Sequence, residues 1–486
     1  MIGPGERITG GAPGDGGWRD LVVVADDGAP DVDGELLARV VHVSDTHVCD
    51  AESPARLEYL DRFSDPDSAY RDRVGNVGTY RPQEILTVQV LAAMVEAINA
   101  ADGIDAVIVT GDLIDNAQSN ERSWCRTMLD GGTVEPWSGD PQVSQWVGSR
   151  EGFPWDERYW HPDGPSGGTI ADIPMRAYGY PRVPGLVEAA RRAVESRGLR
   201  VPWIPVPGNH DALLQGTVYA DASLRDLALG DRRISGLPAG GSPLMLLEGV
   251  APIGPARYVH VDESPAAPVT PDPRRRILEV EELDRPWVHD VGGVRFIALD
   301  TVNPDGGWQG SVGSAQLRWL RQMLEDSAGR YVVVLSHHPS WCLTNPHTAG
   351  EPRHLAAEVV HLLLEHPCVV GWLSGHVHAH ASLWHGDGEG NGFWEITTAS
   401  LIDWPQQARR LEILRQGGRI ALRSEVLDHA APVPWSPDGI GDALGLASVS
   451  RVLAANDYHD RTGRHEGREG RPADRNAVWW ARDPYA

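Results

Sequence analysis

Five short segments of this chain place oxygen and nitrogen side chains directly after apolar runs. They are Asp45-Thr46-His47, Gly111-Asp112 with Asp115-Asn116, Gly208-Asn209-His210-Asp211, His337-His338-Pro339 and Gly375-His376-Val377-His378. Carboxylate, carboxamide and imidazole groups are ligands for divalent cations of hard to borderline character. Brought to one rim, they would hold two such ions, and a pair of ions activates water and neutralises an anionic substrate during hydrolysis. Each segment alone is weak. An Asp-x-His is usually a solvated loop, and Gly-Asp or Gly-Asn-His-Asp suits a turn that accepts positive φ. The ordered co-occurrence of all five carries the expectation.

Something must position these tips. The preceding runs, 39–43, 106–110, 201–207, 331–336 and 369–374, are crowded with Val, Ile, Leu and Trp. They are too short for typical helices and read as strands buried on both faces. In open sheets flanked by helices, sites form outside the carboxyl ends of the strands. Every candidate ligand lies at such an end. Between the segments, 82–100 spaces Leu86, Val90, Met94 and Ile98 helically behind a proline suited to a first turn. Residues 314–326 repeat this with Leu317, Leu320 and Leu324 behind a serine cap, and 353–366 with Leu355, Val359 and Leu363. Strand alternating with helix predicts α/β layering.

In order, the patterns D-x-H, G-D-x-x-D, G-N-H-D, H-x-P and G-H-x-H resemble the calcineurin-like metallophosphoesterase superfamily, over the stretch from Asp45 to His378. The segment 397–407, with Leu401-Ile402-Asp403-Trp404-Pro405-Gln406-Gln407, and the tail resemble a little-characterised bacterial branch of it that names no substrate. The resemblance implies two packed mixed β-sheets flanked by helices, a four-layer α/β/β/α sandwich with loop-rich insertions. A carboxylate suits a bridge between cations about 3.5–4 Å apart, and Asp112 is the candidate. By resemblance, one ion is held by Asp45, His47, Asp112 and His378, the other by Asp112, Asn209, His337 and His376. Oxygen and imidazole ligands without thiolate suit two divalent ions drawn from Mn, Fe, Zn or Co.

A metal-bridging water that loses its proton near neutral pH is the expected nucleophile. His210 is not needed as a ligand and is expected as the general acid for the leaving alkoxide. Asp115, as in related phosphatases, is expected to orient His210 and raise its pKa. His338 is expected beside the site rather than in it. Asn116 stands where some protein phosphatases carry a substrate-gripping arginine, which argues against a phosphoprotein substrate. Asp115 in place of tyrosine argues against a tyrosine-ligated ferric ion.

The chain has 486 residues and a formal net charge of −25, and all 43 of its basic residues are arginine. Such acidity argues against coating a long nucleic acid. It leaves a small phosphorylated, possibly nucleotide-like partner, either a phosphodiester or a phosphomonoester. The competing readings are a metal-dependent nuclease of the same fold and a catalytically silent binding scaffold, although a scaffold has no need to keep all seven ligands. Expected organisation is an N-terminal extension over 1–35, a catalytic domain over 36–430 with insertions at about 117–200 and 213–285, and a C-terminal extension over 431–486. Cys49, Cys125, Cys342 and Cys368 lack C-x-x-C spacing and fit a reducing compartment. No signal-peptide core or membrane-length apolar run is visible, so cytoplasm is expected, without a membrane partner. The sequence does not indicate oligomeric state.

The first insertion holds Trp124, Trp137, Trp146, Trp155 and Trp160. These are expected to form a small core for an irregular lid rather than an aromatic wall for a base or sugar. Arg274-Arg275-Arg276 reads as a solvated turn. In the tail, a short helix is expected within 442–456, the charged stretch 457–475 is expected to be mobile, and Trp479-Trp480 is expected to dock on the body.

Overall fold

The computed structural model describes residues 5–74, 80–165, 170–243, 263–283, 286–387, 391–461 and 467–486. Period-two alternation sorts the apolar side chains of each strand between two layers. Strands β1 (Glu35–Val43), β2 (Ala106–Val109) and β3 (Trp203–Pro205) pair in parallel. Val40, Ala106, Ile108 and Ile204 face a second sheet, whereas Val41, Val43, Val107 and Val109 face the opposite way, into a separate apolar cluster.

The second sheet comprises β4 (Trp287–Val291), β5 (Val294–Ala298), β6 (Tyr331–Leu335), β7 (Val369–Ser374), β8 (Ala381–Gly386) and β9 (Gly392–Thr397). Its order is β4-β5-β6-β7-β9-β8, parallel except at its two antiparallel edge pairings. The antiparallel strands β10 (Gln407–Gln416), β11 (Arg419–Asp428) and β12 (Ala477–Arg482) complete the first sheet, in the order β12-β11-β10-β1-β2-β3. Phe296, Val333, Leu373, Ile396, Leu411 and Leu422 fill the space between the sheets.

Helices close the outer faces. Residues of α1 (Thr87–Ala100) and α2 (Ser119–Asp130) share the cluster of Val41 and Val107. Residues of α3 (Ser314–Glu325) and α4 (Ala356–Leu364) share one with Val332, Val334 and Trp372 of the second sheet. Helix α5 (Ala443–Ala455) packs on α1. This is the mixed four-layer arrangement implied by the motifs.

Several details differ from expectation. The third run forms only a three-residue strand, because Pro202, Pro205 and Pro207 lack the N–H that a ladder needs. Helix α1 starts at Thr87, after a 3₁₀ turn over Glu84–Leu86, and so does not begin at Pro82. Gly313, not Ser314, is the N-cap of α3, and the Ser314 hydroxyl donates instead to Pro352 O at 3.1 Å. Helix α4 begins only at Ala356, because Arg353 and His354 first pair with Val312 and Gly313.

Trp146 and Trp160 are fully buried in one apolar cluster, as expected for a lid core, whereas Trp124 packs in the cluster of Val41 and Val107. Arg275 is no solvated residue: it is buried and donates to Ser138 Oγ at 2.7 Å and Thr270 O at 2.8 Å. In the tail, Trp479 and Trp480 form part of β12, and α5 occupies the expected helix. The described part of 457–475 is not loose: Tyr458–Arg461 is helical and Asp457 and His459 are buried. Residues 462–466 of that stretch, and 166–169, 244–262 and 284–285 of the insertions, lie outside the described residues. Among the described residues, no helix is long and apolar enough to cross a membrane.

Candidate metal centre

The carboxyl ends of the parallel strands from both sheets meet at one rim. Asp45 and His47 follow β1, Asp112 follows β2, Asn209 follows β3, His337 follows β6, and His376 and His378 follow β7. All seven are brought together. Asp112 Oδ2 lies 3.6 Å from His47 Nε2 and 3.2 Å from His337 Nε2. Asp45 Oδ1 lies 3.3 Å from His378 Nε2 and 3.9 Å from His47 Nε2. His376 Nδ1 lies 3.2 Å from His337 Nε2. Among the described residues, four overlapping groups of mutually close ligand atoms meet at this rim: Asp45, His47 and His378; Asp45, Asp112 and His337; His47, Asp112 and His210; and His337, His338 and His376.

The backbone is strained to achieve this. Asp45, His47, Asp112, His376 and His378 all have positive φ, between 42° and 69°. Non-glycine residues rarely adopt that region, at a cost of order 1 kcal/mol each, and such strain concentrates at functional sites. The motif glycines explain how the loops close up. A Cβ on Gly375 would collide with Ser44 and Asp45, and one on Gly208 would collide with Asp112. These two approaches let His376 N donate to Asp45 Oδ2 at 3.0 Å and His210 N donate to Asp112 Oδ1 at 2.7 Å.

The imidazoles are oriented from behind. His47 Nδ1 donates to Asp115 Oδ1 at 2.9 Å, His378 Nδ1 to Asp403 Oδ2 at 2.7 Å and His337 Nδ1 to Thr110 O at 2.8 Å. A carbonyl or carboxylate can only accept, so each neutral ring presents its Nε2 lone pair to the rim. The His47 and His378 Nε2 atoms then face each other at 3.2 Å, an arrangement satisfied by a proton on one ring or by a cation between the two lone pairs. Asn209 adds a second sign. Its Nδ2 donates to Gly216 O at 2.9 Å, which fixes the amide, while its buried Oδ1 has no hydrogen-bond partner among the described residues. A buried acceptor left unpaired is costly and calls for an ion or water. The donor set fits two divalent cations.

The buried groups also set one another's ionisation. Burial alone disfavours charge on Asp112, yet the surrounding imidazoles, His337 foremost, hold its carboxyl well below the usual range. Burial likewise opposes a charged His337 ring, but Asp112 outweighs it and raises the group to about 9.

Comparison with known proteins is consistent with this geometry. The family model for calcineurin-like phosphoesterases matches residues 183–380, which contain the Asn209, His337, His376 and His378 segments. That stretch of the chain is similar to the calcineurin-like phosphoesterases. A manganese-dependent ADP-ribose/CDP-alcohol diphosphatase of Xenopus tropicalis is 31% identical over 113 residues, 21% of this chain. That match spans only 29% of the relative's length. A dimetal phosphatase structure from Danio rerio aligns with 81% of this chain and 100% of its own, at 13% identity and a TM-score of 0.34.

His210 sits at the rim with its ring 4.5 Å from that of His47. Its Nδ1 donates to the main-chain O of Asp115 at 2.8 Å, while the Asp115 carboxylate is 3.5 Å away. That carboxylate is instead committed to His47 and to the buried guanidinium of Arg56. Asp115 does raise the His210 pKa, through its charge and its carbonyl, but burial outweighs it. Burial dominates and lowers it to about 4, with Asp112 and Asp115 opposing. His338 lies beside the site as expected, bonded to Thr301 Oγ1 and Trp308 O. Asn116 is used internally, with Oδ1 accepting from Gln215 Nε2 at 2.6 Å. Cys49 is buried and its thiol pushed well up by burial, with its sulfur beside Arg56 Nη1 at 2.8 Å.

Two carboxylates at the site carried no sequence assignment. Asp211 clamps the Asp112 loop, accepting from Leu113 N at 2.9 Å and Gly208 N at 2.7 Å. Asp403, which holds His378, is itself gripped by Arg81 at 2.6 Å and by Arg468 of the tail at 2.5 Å. Asp211 lies within the G-N-H-D motif, and Asp403 within the segment of the branch-level resemblance, so both stood in marked sequence without a role.

Proposed function

We propose that the chain is a two-metal phosphoesterase acting on a small phosphorylated, nucleotide-like substrate, either a diester or a monoester. The observation that carries this reading is the convergence of Nδ1-anchored imidazoles and two buried carboxylates on one rim, with Asp112 Oδ2 between His47 and His337. Asp45, His47, Asp112 and His378 would hold one ion, and Asp112, Asn209, His337 and His376 the other. Two divalent ions, when bound, supply Lewis acidity toward phosphoryl oxygens and lower the pKa of water.

The protein's own groups do the rest. Asp115, Asp403 and Thr110 fix the tautomers of His47, His378 and His337, so that none of the three rings must reorganise during turnover. His210 donates Nδ1–H to the Asp115 carbonyl, which leaves Nε2 as the atom where a proton is held for the leaving-group oxygen. The relative's acceptance of ADP-ribose and CDP-alcohols, as its name states, supports a nucleotide-like substrate here.

His210→Ala tests the proton-transfer role. Metal content should stay at the wild-type level while turnover of an alkyl phosphoester falls about 10²–10⁴-fold. Loss on a p-nitrophenyl ester, whose leaving group hardly needs a proton, should be far smaller. Equal losses on both substrates would assign His210 to substrate binding instead.

A further inference from the structure

Trp308 is a large apolar side chain left 42% exposed, whereas Trp146, Trp160 and Trp372 are fully buried. Its ring lies nearly parallel to that of His376, at 17° with centroids 5.9 Å apart. The indole therefore stands next to the rim, beside an expected ligand of the second ion.

The segment that carries it is held firmly. The Trp308 carbonyl accepts from His338 Nε2 at 3.1 Å. His338 Nδ1 is then an acceptor and takes the Thr301 hydroxyl at 2.8 Å, so both ring nitrogens are spent on positioning this loop. Gly307 N donates to Thr217 O at 2.8 Å, Gly310 N to Cys342 O at 2.9 Å, and Asn345 Nδ2 to Gly306 O at 2.9 Å. A mobile loop would let the indole fold away from water. Here the backbone is pinned on both sides of residue 308, and the exposed face persists.

We propose that Trp308 is the platform on which the base of a nucleotide substrate stacks while its phosphate occupies the metal rim. This rests on the phosphoesterase reading above and adds the residue that selects a base. The chemistry is direct. In a nucleotide the base lies one pentose away from the phosphate, and the indole lies one imidazole away from the ligand atoms. A flat π-face accepts any base, and base–aromatic stacking contributes roughly 1–3 kcal/mol by alanine substitution, which is about 5- to 150-fold in affinity. The platform would thus select for a base without selecting among bases.

The test compares AMP with ribose 5-phosphate, which differ only in the base, by calorimetric binding to the Mn-loaded full-length protein. The wild type should bind AMP about tenfold more tightly than ribose 5-phosphate. Trp308→Ala should abolish that advantage by weakening AMP alone, and Trp308→Phe should retain most of it. Equal binding of the two ligands by the wild type, or an AMP advantage that survives in Trp308→Ala, would overturn the proposal. Ribose 5-phosphate reports on the phosphate site by itself. If neither ligand binds the loaded protein, the phosphoesterase reading fails and the platform with it.

Discussion

At the scale of single residues, the seven candidate ligands were legible because each type appears at a strand end with a small residue or turn former beside it. Their strained backbone was not legible: positive φ at Asp45, His47, Asp112, His376 and His378 is set by loops pressing on one another across the two sheets. Nor was the hydrogen bonding behind the imidazoles. Asp115 was read as the partner of His210; it is one through its main-chain carbonyl, while its carboxylate bonds His47 and the buried Arg56. Asp403 lies far along the chain from the histidine it orients, and no local spacing joins it to His378. Partners that orient metal-bound histidines typically affect affinity 10–100-fold. Asp403→Asn should therefore weaken binding of one Mn ion by that factor, read by calorimetry, with the second ion less affected. Unchanged affinity for both ions would remove Asp403 from the site.

At the scale of elements, helix and strand periodicity placed β1, β2, β6, β7, α3 and α4 within a few residues. Errors gathered where side chains or prolines act at a boundary, as at Thr87, Gly313 and Ala356. The tail misled for a different reason. Its charges predict solvation when counted one by one, but they pair. Arg468 reaches Asp403, while His459 is enclosed by Asp61 at 3.5 Å, Asp65 at 3.4 Å and Asp457 at 3.2 Å, with Arg158 also on Asp65. Burial opposes charge on His459, but these carboxylates, Asp61 foremost, outweigh it and hold the ring well above the usual histidine range. A raised histidine stabilises the fold fully below its unfolded pKa, about 6.5, and that contribution is lost as pH rises through the folded value. His459→Gln should thus cost about 3 kcal/mol near pH 6. The gap to the wild type in chemical unfolding should narrow steadily at alkaline pH. A gap independent of pH would show that His459 is neutral in the folded protein.

At the scale of the whole molecule, the first sheet supplies Asp45, His47, Asp112 and Asn209, and the second supplies His337, His376 and His378. Cations at this rim join the two halves of the sandwich, so binding must stabilise the fold. At a hundredfold excess over the dissociation constant, Mn should add about 2.7 kcal/mol. Differential scanning calorimetry would show this as an upward shift of Tm that a chelator reverses, and a Tm indifferent to metal would separate the rim from the fold. Layering was legible from sequence because buried parallel strands announce themselves, whereas the reach of the tail into the first sheet through β12 was visible only as Trp479-Trp480. On the function proposed, Asp112 would bridge two ions that support hydrolysis of a phosphoester. The most direct measurement is bound metal and cleavage of bis-p-nitrophenyl phosphate and p-nitrophenyl phosphate, taken together on the wild type and Asp112→Asn. Two divalent ions per chain and Mn-supported cleavage of at least one ester are expected in the wild type, with both ions weakened and cleavage lost in the variant. A variant that keeps full metal content and rate, or a wild type that binds no metal under any loading condition, would contradict it.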